Sequence, residues 1–126
     1  MRETEQEPAN FTTSASPPLD LVFDLLSNRR RRYALYFLYE QSDGVATVTD
    51  VTDHVVALEG QRDECESAPD VEQRKQEVRT ELRHVHLPKL EDSGILEHDQ
   101  RSETVRYWTQ PTLEEWLEHA YHKELA

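Results

Sequence analysis

Cysteine, glycine and lysine are all scarce in this chain of 126 residues, and the first two shortages argue against whole classes of function. A single cysteine, Cys65, excludes an internal disulfide framework and fits a reducing cytoplasm. It lies in the acidic run DECES, where neighbouring carboxylates disfavour the thiolate that a nucleophile needs. Three glycines in all leave no glycine-rich loop to cradle phosphates, and no P-loop, dinucleotide fingerprint or G-x-S-x-G elbow occurs. No apolar stretch approaches the ~18 residues of a membrane span. The longest candidate, Tyr33 to Tyr39, is flanked by charge. The N-terminal MRETEQEPANFTTSASPP has no apolar segment of the kind a secretory signal requires. These absences predict a cytoplasmic protein that is not an enzyme, holds no cofactor or metal, and has no membrane partner.

What is present is acid. Asp and Glu number 26 against 14 Lys and Arg, a formal net charge of -12. Only 36% of residues are hydrophobic, so the core is lean, although at this length roughly 65% of the unfolded surface can still be buried in one domain. The basic residues are arginines except for Lys75, Lys89 and Lys123, and the acidic ones are dispersed rather than gathered in a tail. A dispersed acidic surface with few lysines resembles the style of halophilic proteins that work in molar potassium chloride. There the Debye length is about 3 Å, so net charge causes little self-repulsion and little long-range steering. The alternative is an ordinary acidic protein. On its face the charge argues against nucleic acid as a partner.

Residues 1–18 carry no apolar periodicity and read as an acidic, disordered tail. Pro17 and Pro18 suit a helix entry, after which Leu19, Val22, Phe23 and Leu26 mark one face of a short helix. Ser27 and Asn28 are capping residues between this helix and the next, RRRRYALYFLYEQ, which SDG at 42–44 ends through a glycine free to adopt positive φ. Thr49 is a candidate N-cap for a third helix bearing Val51, Val55 and Leu58. GQRDECESAP from Gly60 to Pro69 reads as an exposed loop. Asp70 is positioned to cap a longer fourth helix that runs to Ser93, stops at Gly94 and carries a core stripe of Val78, Leu82 and Val85. Pro88 falls inside it and should kink or re-phase its last turns so that Leu87 and Leu90 face the core. ILEHD and TVRYW form a hairpin with Val105 and Tyr107 on one face. A final helix follows from Pro111, with a capping box from Thr112 to Glu115.

The order of helices, long helix, hairpin and helix predicts a mainly α protein with a small β-hairpin wing, a winged helix-turn-helix spanning 19–108, with 109–126 as a C-terminal amphipathic helix. In that architecture one helix lies in the major groove and the hairpin reaches the flanking backbone. With its apolar stripe inward, the fourth helix presents Gln73, Gln76, Thr80 and Arg83 outward, with Arg79 and His84 on the margins. Gln and Arg pair bidentately with adenine and guanine edges, and Thr meets a thymine methyl. From Arg74 to Lys89 there are five basic residues and two acidic ones, a local positive excess in an acidic chain. A solvated outer face is the plain alternative. Arg29–Arg32 is the densest basic block. It offers one or two phosphate contacts at most, or pairs with nearby carboxylates. Arg101, at the tip of the wing, is a better DNA-binding candidate than Arg106.

The segments LSNRRRRYALYFL, HVHLPKLEDSGILEHD and TVRYW resemble a winged-helix domain of unknown function abundant in haloarchaea. More distantly, the opening L-S-x-x-x-R and the exit L-x-x-L-x-x-x-G-[IL] are similar to arsenical-repressor-like (ArsR-type) regulators. The resemblance covers about residues 19–108, is most specific from His84 to Gly94, and implies a transcriptional regulator. The cysteine motif through which arsenical repressors bind metal is absent, so metal sensing does not carry over.

His84 and His86 point about 160° apart on a helix and cannot share one metal. His86 is expected to make a polar contact beside Pro88, and His84 to face DNA or a partner. The stripe Leu113, Trp116, Leu117, Ala120 and Tyr121 is a candidate homodimer interface, or packs on its own domain. Two functions result: a homodimeric regulator binding double-stranded DNA, or a winged-helix module that binds a protein partner without DNA.

Overall fold

The computed structural model describes residues 17–62 and 68–125; the N-terminal tail through residue 16 and the loop around Cys65 lie outside them. Helix α1 (Leu19–Leu26) opens at Pro18, whose carbonyl accepts from Val22 N at 3.0 Å. It buries Val22, Leu25 and Leu26, whereas Leu19 and Phe23, expected on the same inward face, are exposed. Ser27 Oγ donates to the Asp24 carbonyl at 2.6 Å and closes α1. Asn28 Oδ1 then accepts from Arg31 N at 3.0 Å and starts α2 (Arg29–Glu40), the central helix, which buries Tyr33, Ala34, Leu35, Tyr36 and Leu38.

Gly44 sits at φ +71°, and its carbonyl accepts from Tyr107 N at 2.7 Å. A Cβ there would stand 2.7 Å from the Tyr107 oxygen, so this turn requires glycine for both its conformation and its close approach. The chain then runs into β1 (Val45–Thr47), a strand too short to show any periodicity in the sequence. Helix α3 (Val48–Arg62) follows directly. Its cap is Thr47, whose Oγ1 accepts from Asp50 N at 3.0 Å, and not Thr49, which lies in the first turn. The helix runs through Gly60, expected to belong to the loop, and buries Val48, Val51, Thr52, Val55, Val56 and Glu59.

Helix α4 (Ala68–Glu81) begins two residues before Asp70, so Asp70 lies inside the helix and is not its cap. Val78 and Leu82 are buried as expected. Val85 is not: half of it is exposed, and His86 takes the inward place. The cause is a π turn, Leu82–His86, in which Leu87 N bonds to the Leu82 carbonyl five residues back. One extra residue per turn delays the inward position from Val85 to His86, and Pro88, which has no N–H, enters just after it. The re-phasing delivers Leu87 and Leu90, both fully buried, on α5 (Leu87–Asp92). Gly94, at φ +79°, ends it, with Ile95 N bonding to the Leu90 carbonyl at 3.0 Å.

Strands β2 (Leu96–Asp99) and β3 (Thr104–Tyr107) form the expected hairpin, with Leu96 opposite Tyr107 and His98 opposite Val105; Val105 and Tyr107 are buried. Strand β1 pairs with the other edge of β3, giving an antiparallel sheet of order β1-β3-β2. Helix α6 (Pro111–Glu124) is capped differently from expectation: Glu114 Oε2 accepts from Gln110 N at 3.0 Å and from the Tyr107 hydroxyl at 2.6 Å. Thus the chain is mainly helical with a small three-stranded sheet, an arrangement compatible with a winged helix-turn-helix.

A buried ion pair ties the helices together. Glu59 lies on the apolar face of α3, with its side chain 1% exposed. Arg30 grips it from α2 through Nε at 2.6 Å and Nη2 at 3.2 Å, and Arg74 reaches it from α4 at 3.2 Å. Arg30 continues to Glu77 at 3.0 Å and Glu81 at 2.8 Å. Removing one partner of a buried pair leaves the other charged and poorly solvated. Glu59→Gln is expected to lower unfolding free energy by about 3 kcal/mol in urea titrations near neutral pH. Glu77→Gln, which removes an exposed arm of the same network, should lower it by less than about 1 kcal/mol.

Candidate nucleic-acid interface

Gln73, Gln76, Arg79, Thr80, Arg83 and His84 are all exposed, on the side of α4 and the π turn away from Val78 and Leu82. Their helix is fixed from beneath by the Glu59 and Arg30 network and at its flank by α3. Lys75 Nζ stands 3.6 Å from Asp53, and Arg79 donates to Thr49 Oγ1 at 3.1 Å. The C-terminal end of this face meets the wing: Arg83 Nε is 3.5 Å from Glu103 Oε1. Glu103 lies in the turn between β2 and β3 at φ +56°, two residues after exposed Arg101. Its other carboxylate oxygen stands 3.7 Å from His98 Nε2, beyond hydrogen-bond range. The predicted helix residues and Arg101 are therefore parts of neighbouring surface. Arg106 instead lies over the Trp108 ring, 5.6 Å from its centroid.

The arginine block turns mostly inward. Arg30 serves the Glu59 network. Arg31 is buried and donates to the carbonyls of Leu25 at 2.7 Å and Asp24 at 2.8 Å. Arg32 pairs with Glu124 at 2.7 Å and donates to the Leu26 carbonyl. Of the four, only Arg29 makes neither an ion pair nor a side-chain hydrogen bond among the described residues, so bonding to the chain's own groups prevails over phosphate contact. Burial works against the charged Arg30, but Glu59, Glu77 and Glu81 more than reverse this and raise its pKa above the ordinary value.

His86 sits beneath the same face, its side chain almost fully buried. Arg31 Nη1 is 3.3 Å from Nδ1, and Glu81 Oε1 is 3.1 Å from Nε2. A guanidinium only donates, so Nδ1 must accept, and the single ring proton belongs on Nε2 facing Glu81. This is the polar contact beside Pro88 that the sequence implies. His84 points to solvent. Among the described residues, no three His, Cys, Asp or Glu side chains converge as metal ligands.

The expected dimer stripe divides in two. Leu113 and Leu117 are buried in the chain's own core, with Ala120 and Tyr121 partly buried against it, because α6 packs on α1 and α2. The two leucines are therefore not available to a second copy, while Ala120 and Tyr121 keep part of their surface exposed. Trp116 remains 36% exposed and meets exposed Phe23 edge-on, with centroids 5.2 Å apart. No helix among the described residues is long and apolar enough to cross a membrane.

Glu59 and Glu103 were not foreseen. Glu59 had a legible signal, since it continues the i, i+4 spacing of Val51 and Val55 and places a carboxylate in an apolar stripe. Glu103 had none, because its position depends on how the hairpin meets the helix.

Residues 23–106 match the model of a family described as a domain of unknown function, DUF7344. The chain belongs to this family. The matched segment runs from within α1 to within β3, so it includes every helix candidate for DNA contact and the wing, while α6 follows it. No curated protein and no solved structure matches the chain.

The buried imidazole makes stability depend on pH. Burial is the largest influence and lowers the His86 pKa; the hydrogen bond that His86 donates to Glu81 opposes it, and Arg31 reinforces it. Unfolded His titrates near ~6.5, so between the folded pKa and that value the unfolded state binds more protons, and stability rises with pH. The contribution is complete above about pH 6.5 and is lost as pH falls through that window. His54, against the Phe37 ring, is also lowered by burial and acts with the same sign. Urea midpoints should therefore fall between about pH 7 and about pH 5, and His86→Gln should fall less steeply. A variant as steep as the wild type would show that His86 is not held neutral.

Proposed function

We propose that this chain is a DNA-binding transcriptional regulator that places the outer face of α4 in the major groove and the turn of the β2–β3 wing on the flanking backbone. The supporting observation is the uncovered face formed by Gln73, Gln76, Arg79, Thr80, Arg83 and His84, with Arg101 on the adjoining wing. These are side chains suited to base edges and phosphates. The positive excess between Arg74 and Lys89 favours the same surface in a chain of charge -12. The resemblance to haloarchaeal winged-helix domains and ArsR-type regulators supports the reading, and the halophile-like, lysine-poor acidity removes the objection from net charge, since such a composition suits molar salt. In that solvent counterion release is nearly exhausted, so base-edge hydrogen bonds and shape outweigh net charge.

A second reading, a winged-helix module that binds a protein, is favoured by two observations. Arg79 and Arg83 are held by Thr49 and Glu103 of the same chain, and residues 19–108 carry 12 basic against 19 acidic side chains. Fluorescence anisotropy with genomic fragments selected in molar potassium chloride separates the two. DNA binding predicts that Arg83→Ala or Gln76→Ala weakens affinity about tenfold, the scale of one base contact, while deleting residues 1–18 changes it little. Equal loss from the deletion would remove the site from α4, and failure to enrich any fragment would favour the protein partner.

The regulator is proposed to act as a homodimer, which would set two recognition helices about one DNA turn, ~34 Å, apart. The surface for it is Trp116 with Phe23 and Leu19, the apolar side chains that α1 and α6 leave exposed. Light scattering after size exclusion should give a dimer for the wild type and a monomer for Trp116→Glu. A monomeric wild type would end the proposal.

A further inference from the structure

Between α2 and α6 lies a mostly apolar cleft of about 250 Å³, walled by Tyr36, Tyr39, Tyr121 and Leu117 and rimmed by Glu40 and Glu118. It is distinct from the outer face of α4 and from the Trp116 surface, and nothing in the DNA-binding reading uses it. The rings of Tyr36 and Tyr121 are 5.4 Å apart and inclined by 60°, so they make two walls of a cleft and not a parallel stack. Two of the three phenol groups at the cleft are anchored by carboxylates: Tyr36 donates to Glu124 Oε1 at 2.9 Å, and Tyr39 donates to Glu118 Oε2. These bonds fix the rings and keep them in the neutral phenol form. Burial, then Glu124, raises the Tyr36 pKa, and the Glu118 hydrogen bond lifts that of Tyr39 to about 12.

The rim is negative. Glu40 and Glu118 are exposed and have no Lys or Arg partner among the described residues. Nearby Arg32 is engaged by Glu124 at 2.7 Å, and His122 also stands at the cleft. Aromatic walls carry a negative quadrupole that attracts cations, and the two carboxylates add to it. Apolar walls with few oxygen ligands do not replace the water shell of a small metal ion. A cation with an apolar surface meets both conditions. The cleft is just below the ~300 Å³ at which sites for drug-sized ligands begin, which suits a small ion. We propose that it binds a small organic cation of the quaternary or alkylated ammonium class.

Choline is the probe, titrated calorimetrically into the full chain at constant potassium chloride. Its control is the uncharged isostere in which a tert-butyl group replaces the trimethylammonium. Choline should bind with a dissociation constant on the order of 1 mM, and the isostere about tenfold more weakly. Tyr39→Leu, at a ring already 36% exposed and therefore tolerant of change, should weaken choline about tenfold, with circular dichroism unchanged. Glu40→Gln should weaken it about threefold, and Trp116→Ala, in the groove with Phe23, should leave it unchanged. Absence of choline binding, equal binding of the isostere, or undiminished binding by a folded Tyr39→Leu variant would each overturn the assignment.

Discussion

The pair of Glu59 and Arg30 is the constraint on which the placement of the other helices rests. A carboxylate in the middle of an apolar helix face is tolerable only if cations meet it with good geometry, and two neighbouring helices supply them. Arg30 comes from α2 and Arg74 from α4, so α3 is clamped between them. The same guanidinium then holds Glu77 and Glu81, which sets the roll of α4 about its axis. That roll decides which side of α4 faces solvent, and hence which residues any ligand can meet.

The π turn is the second device in the same helix, and it solves a local problem. A proline in a helix lacks the donor that closes the preceding turn, and its ring crowds the carbonyl four residues back. Widening one turn before Pro88 absorbs both faults and shifts the inward phase by one position. Leu87 and Leu90 reach the core as a result, Val85 is left in solvent, and a histidine fills the inward place. His86 is then sealed between a cation and a carboxylate, so its protonation state follows from the backbone defect. The wing depends on this segment too, because α5 leads straight through Gly94 into β2.

Much of this fold was legible along the chain. Helical periodicity marked α1, α2, α3 and α6, and one long helix where α4, the π turn and α5 lie; Ser27 and Asn28 marked the junction of α1 and α2, and Gly94 marked the exit to the hairpin, since each signal acts over a few residues. Strand β1 was not legible, because three residues show no alternation and the strand exists only through pairing with β3. Leu113 and Leu117 were visible as apolar, but the stripe they share with Trp116 does not say which part meets α1 and α2. The residues of the candidate interface were legible as an outward set on α4. Their link to the wing through Arg83 and Glu103 was not, because it depends on the angle of the hairpin.

The scarcity of glycine, cysteine and lysine, the dispersed acid and the spacing of apolar residues are properties of the chain alone. They determined where most of the helices and the hairpin lie and which residues are apolar. The partners of the charges were decided only in three dimensions. Four consecutive arginines look alike in sequence, yet one serves a buried carboxylate, one a set of carbonyls and a neutral histidine, and one Glu124, 92 residues away. Local propensity acts between neighbours in sequence, whereas an ion pair is strong only where packing brings charges together and excludes water. For this acidic chain, that second condition is met only once the helices have docked.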